Sequence, residues 1–148
     1  MSDGVKLTCL HCGQANRVPQ ARLADGAKCA TCGAALLPGK PVETDFATLQ
    51  KAIRTDGMPL LTDFWAPWCG PCRSMAPEFA KAAGEMKTRV RFAKVNTEQD
   101  PAASQKLQIR GIPALIMFRN GAEAGRLAGA RPASSIIEFA KQAGGVVA

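Results

Sequence analysis

Leu60-Leu61-Thr62-Asp63-Phe64-Trp65-Ala66-Pro67-Trp68-Cys69-Gly70-Pro71-Cys72 decides the fold of this 148-residue chain. Its first six residues read as a buried strand interrupted by one acid, Asp63. Residues 70–87 then read as a long helix with Met75, Phe79, Ala82 and Met86 on the inner face; Pro77 inside it predicts a kink. Strand, Cys-x-x-Cys, helix puts Cys69 at a helix N-terminus, where unpaired amides and the helix dipole favour a thiolate. A thiolate, not a thiol, attacks a disulfide sulfur. Cys72 follows within one turn, close enough to resolve the mixed disulfide, and Pro71 pre-sets the helical dihedral.

Elements of the same kind follow on either side. Phe46, Leu49, Ala52 and Ile53 recur at helical spacing, with Thr44 or Asp45 as N-cap. Val90 to Val95 reads as a strand and Pro101 to Gln108 as a short helix. Residues 114–118 form a third strand, closed by the turn Asn120-Gly121, with Gly125 to Gly129 as its antiparallel partner. Pro132 opens a last helix carrying Ile136, Ile137 and Ala140 inward. The alternation predicts an α/β fold, a central mixed sheet with helices on both faces.

Upstream, Cys9-Leu10-His11-Cys12-Gly13 and Cys29-Ala30-Thr31-Cys32-Gly33 repeat one pattern. Each is a tight turn whose amides can point at sulfur, with a glycine that tolerates a left-handed backbone. Four thiolates at this spacing suit a closed tetrahedral zinc site, and iron is the rival metal. Cys9, Cys12, Cys29 and Cys32 leave no position for substrate, so the expected role is structural. A segment this short buries too little apolar area to fold unaided. Pro38-Gly39-Lys40-Pro41 reads as a linker. The expected division is a four-cysteine domain over 1–37, a linker over 38–41 and a second domain over 42–148. With those four cysteines forming a complete set, the 69/72 pair has no partner pair with which to bind metal. His11, the one histidine, reads as an exposed turn residue, which leaves no general base for a cysteine–histidine hydrolase.

Composition excludes other classes. The 47% hydrophobic and 21% charged content is that of a globular chain, and no stretch approaches the roughly 20 apolar residues of a membrane span. Residues 1–6 lack an apolar signal region, so the expected location is cytoplasmic. The net charge of +7 raises nucleic acid as a partner. The basic residues are scattered, however, and the four-cysteine segment contains no aromatic on which a base could stack, which argues against that partner. No Gly-x-Gly-x-x-Gly fingerprint is present, so no bound dinucleotide or other organic cofactor is expected.

Residues 64–72, together with Gly111-Ile112-Pro113, resemble the thioredoxin family, and the likeness runs over roughly residues 42–146. The four-cysteine head is similar to that of the thioredoxin-2 subgroup, whose N-terminal domain binds zinc. The resemblance implies a thioredoxin fold with a small zinc-ribbon-like domain in front. It implies a protein-disulfide reductase with disulfide-containing clients, recycled by thioredoxin reductase and NADPH. By position, Asp63 matches the buried acid that moves the Cys72 proton, and Lys94 the lysine near it. Pro113 matches the cis-proline facing the cysteine pair, which exposes the Ile112 backbone for strand addition. Trp68 and Gly129, with Gly70 and Pro71, match the substrate face; Trp65 reads as core support. Ala114 and Pro67 depart from common family residues without touching the chemistry. A rival reading makes the head a zinc-based redox sensor or holdase, with the second domain accessory.

Overall fold

The computed structural model describes residues 4–146. The head opens with an antiparallel hairpin of β1 (Gly4–Thr8) and β2 (Ala15–Pro19). The rest comprises β3 (Val42–Glu43), α1 (Phe46–Thr55), β4 (Leu60–Trp65), α2 (Gly70–Glu85), β5 (Arg91–Asn96), α3 (Pro101–Leu107), β6 (Ala114–Arg119), β7 (Ala122–Ala128) and α4 (Ala133–Gly144).

Five strands form one sheet in the order β3-β5-β4-β6-β7. The first three are parallel; β6 runs antiparallel to β4, and β7 to β6. Alternation along β4 divides the core. Leu60 and Phe64 pack with Phe46, Leu49 and Ala52 of α1 and Ala103 of α3. Leu61 packs with Met75 and Phe79 of α2 and Ile136 and Ala140 of α4 on the opposite face. Asp63 lies in phase with Leu61 and therefore on the α2 side. The mixed sheet between helical layers is the fold expected from the sequence.

The local chemistry of the helix ends follows the chain. Asp45, not Thr44, caps α1, its carboxylate accepting the Thr48 N–H at 2.7 Å. α2 ends at Glu85, two residues short of the expected limit, and is continuous through Pro77. β7 begins at Ala122 rather than Gly125. Asn120 and Gly121 both take positive φ, a two-residue turn that leaves no slack before pairing starts. β3 has only two residues and carries no periodic signal; it exists because β5 offers it a parallel partner.

The head is seated on the larger sheet. Its own core, Leu7, Val18, Leu23, Leu36 and Leu37 around Cys9 and Cys29, is completed by Met58 from the loop before β4. Leu10 reaches the other way, into the cluster of Val42 and Phe46. A buried ion pair between Arg91 and Asp56 clamps the two parts. Asp56 also accepts the Thr8 N–H at 2.7 Å, and Arg91 donates to the Leu36 carbonyl at 3.2 Å. Gly57 N–H to the Lys6 carbonyl and the Thr44 hydroxyl to the Leu10 carbonyl, each 2.8 Å, add to the seam. Losing one member of such a buried pair costs about 3–5 kcal/mol, because it strands a charge.

Candidate functional site

Cys69 is the N-cap of α2. It takes an extended backbone, φ −83°, and its sulfur accepts the Cys72 N–H at 3.2 Å. The cap amide and the aligned helix beyond it are what stabilise negative charge on this sulfur when the pair is reduced. Here Cys69 and Cys72 are disulfide-bonded, with Cα atoms 5.2 Å apart. Both are nearly buried, whereas Trp68 beside them is 67% exposed, the only large hydrophobic so exposed among the described residues.

A second loop meets the pair from β6. The Ile112–Pro113 bond is cis, and the Ile112 carbonyl oxygen lies 3.8 Å from the Cys69 sulfur. The Gly129 N–H donates to the Pro113 carbonyl at 2.9 Å, which draws the end of β7 to the same place. Trp68, Gly70 and Pro71 at the start of α2, Ile112 and Pro113 before β6, and Gly129 after β7 thus come from three separate segments, the last two tied together by a backbone hydrogen bond. Arg73, in the first turn of α2, donates to the Pro67 carbonyl at 2.8 Å and fixes the turn before Trp68.

Asp63 lies beneath, fully buried, and neither carboxylate oxygen has a hydrogen-bond partner among the described residues. Burial pushes its carboxyl up to about 7; the Lys94 ammonium opposes the rise and the Glu43 carboxylate adds to it. Lys94 makes no ion pair with Asp63. Its ammonium sits 4.5 Å from the centre of the Trp65 ring. The Trp65 indole N–H donates to Glu43 at 2.9 Å. Trp65 is therefore more than core support: it joins two charged side chains. Glu43 carries no functional signal in the sequence, since it is one of two acids just after a proline linker and belongs to no motif.

The four head cysteines converge. Their sulfurs all lie within 4.8 Å of one another, with Cys9 to Cys32 and Cys12 to Cys29 each 3.6 Å. Metal–sulfur bonds of about 2.3 Å in a tetrahedron require sulfurs roughly 3.8 Å apart, so the set fits a tetrahedral thiolate-bound ion. The two knuckles are built alike. Cys9 N–H donates to the Gln14 carbonyl and Cys29 N–H to the Ala34 carbonyl, both at 2.8 Å. Gly13 and Gly33 close the turns at φ 83° and 80°, where a side chain would be strained. Amide hydrogen bonding at Cys32 draws the Cys29 thiol down to about 6. Cys12, although the Gln14 amide acts to lower it, is pushed up to about 12 by burial and by the neighbouring cysteines. Four thiols this close cannot all ionise without a cation among them. His11 is exposed and outside the sulfur set.

Comparison with known proteins agrees with this geometry. The thioredoxin family model matches residues 40–142, and the model for the N-terminal zinc ribbon of thioredoxin 2 matches residues 8–34. Thioredoxin C-3 of Corynebacterium nephridii is 40% identical over 124 residues, covering 84% of this chain and 85% of that protein. Thioredoxin 1 of Chlorobaculum tepidum is 47% identical over 85 residues, covering 57% and 84%. The crystal structure of chloroplastic thioredoxin z superposes with a TM-score of 0.65 at 33% identity, over 70% of this chain and 94% of that one.

Proposed function

Because the chain belongs to the thioredoxin family of thiol-disulfide oxidoreductases, we propose that it is a protein-disulfide reductase working through Cys69 and Cys72. The observation that carries this reading is the Cys69 sulfur, capped by an amide at the mouth of α2 and faced by the Ile112 carbonyl. A client strand lies against the Ile112 backbone and the exposed Trp68, with Gly129 at its flank. The reduced Cys69 thiolate attacks one client sulfur. A Cys69–client disulfide forms, and the other client sulfur leaves with the electron pair as a thiolate. Cys72 then gives its proton to the Asp63 carboxylate through water and attacks the Cys69 sulfur. The mixed disulfide breaks and the second client thiolate departs. Two electrons have passed to the client, and the 69/72 disulfide remains. Thioredoxin reductase, drawing on NADPH, restores the dithiol.

The clients are disulfide-containing proteins, and no helix among the described residues is long and apolar enough to cross a membrane. A cytoplasmic location is part of this reading, because a reductase needs a reducing compartment. The division into a head (1–37), a linker (38–41) and a catalytic unit (42–148) is part of it too, supported by the two matched stretches. Cys9, Cys12, Cys29 and Cys32 would hold one structural Zn2+, which supplies cross-linking and charge neutralisation and no step of the exchange.

Two measurements test the assignment. The purified reduced protein catalyses reduction of insulin disulfides, and Cys72→Ser accumulates a covalent mixed disulfide with a client. Failure to trap any client removes the resolving role from Cys72. Thiol titration of the reduced, native protein finds two fast thiols and four slow, metal-masked ones, with one zinc per chain. Six equally fast thiols with no bound metal would refute the head assignment.

A further inference from the structure

One charged residue in the cross-strand row that contains Asp63 has no part in the mechanism above. The sheet register sets Glu43 of β3 opposite Lys94 of β5, and Lys94 opposite Asp63 of β4. Partners in register share a face, so the three form one row across three strands, carboxylate, ammonium, carboxylate. The row ends at Leu115 of β6, which is apolar. Lys94 is thus the only cation in a row with two acids. It pairs with neither, lying over the Trp65 ring whose indole N–H is held by Glu43.

We propose that Glu43 is a positioning residue for the exchange reaction: by tethering Trp65 and sharing Lys94, it withholds full countercharge from Asp63 and keeps that acid able to take and return the Cys72 proton. This rests on the reductase reading. An Asp63 paired with an undivided Lys94 would stay ionised and be a poor base for a thiol. An Asp63 with no cation near it would stay protonated and could not accept a proton at all. The Glu43 carboxylate sets the balance between those limits, and the direction of its effect on Asp63 agrees.

The surroundings leave Glu43 suited to this. Asp63 meets Lys94 and then Glu43 along the sheet, on the face that α2 and α4 cover. Glu43 lines an open cleft of about 360 Å³ with His11 of the first knuckle, Asp45, Asn96 and Asp100. Asp45 is committed to the Thr48 N–H and Asp100 to the Phe46 N–H at 2.6 Å, so those carboxylates are satisfied elsewhere. Glu43 keeps an exposed edge, and solvent screening makes its influence moderate.

Carbon-13 detection of the Asp63 carboxyl, in full-length metal-loaded protein with the 69/72 disulfide intact, reads its titration without interference from those two thiols. In Glu43→Gln the midpoint falls by about half a pH unit, and the acid limb of insulin reduction by the reduced protein moves down with it. Trp65→Phe keeps a ring beneath Lys94 but removes the indole donor, and it shifts the midpoint in the same direction. An unchanged or raised midpoint in folded Glu43→Gln overturns the proposal, as does a pH profile that stays put while the midpoint moves. The titration reads Asp63 whether or not the protein reduces disulfides, so a failed shift counts against Glu43 and not against the reductase assignment.

Discussion

Cys69→Ser leaves a folded protein that no longer reduces insulin disulfides, with turnover down by roughly a thousandfold or more. Serine fits the site: it is a good N-cap, and its oxygen can accept the Cys72 N–H that the sulfur now accepts at 3.2 Å. Its hydroxyl, however, does not ionise near neutral pH and forms no bond to sulfur that Cys72 could resolve. Helix and site survive while the nucleophile is lost. Circular dichroism at wild-type amplitude beside a flat insulin assay is the expected pair of results. A variant retaining full activity would reject Cys69 as the attacking group and with it the reductase assignment.

The second large effect is on stability, and it depends on pH. Asp63 is buried without a hydrogen-bond partner, and its carboxyl is pushed up to about 7 against 3.8 for the ordinary group. A folded-state pKa above the unfolded one stabilises the protein fully below about pH 4, and that contribution is lost as pH rises through about 7. Asp63→Asn removes the titration. Relative to the variant, the wild type should therefore lose about 3 kcal/mol of unfolding free energy between about pH 5 and about pH 9. Burial also raises Asp56 and Glu43, and both groups remain in the variant. Urea unfolding of both disulfide forms across this range measures it. Parallel stability curves would show that Asp63 does not titrate near neutrality. The same variant should slow disulfide reduction, since an amide cannot take the Cys72 proton.

The role proposed for Asp63 sets stability against function on one strand. Every other residue of β4 from Leu60 to Phe64 is buried and uncharged, and the sheet would be more stable at neutral pH with an apolar residue at 63. The chain retains a buried acid where the proposed chemistry needs a proton acceptor.

Much of this was legible along the chain. Cys69-Gly70-Pro71-Cys72 after a strand places a sulfur at a helix start whatever the rest of the protein does, because three residues of helix fix the geometry. Each Cys-x-x-Cys-Gly knuckle is closed by its own backbone, with hydrogen bonds spanning no more than five residues. The helix and strand periods of α1, β4 and α4 show which faces are apolar, and those faces are the ones buried.

Other features depend on segments far apart. β3 is two residues long, and only packing against β5 gives Glu43 a register and so a place beside Lys94 and Trp65. The seam between head and sheet rests on Asp56 and Arg91, two charges 35 positions apart that look like ordinary surface residues until the fold buries them together. Ile112 meets Cys69 across 43 positions. Short-range geometry is dictated by covalent connectivity, so the sequence alone determined the knuckles, the helix start and the sulfur that caps it. Which distant charges share a low-dielectric site is settled only when hydrophobic packing sets strand order and register, and that step belonged to the tertiary structure.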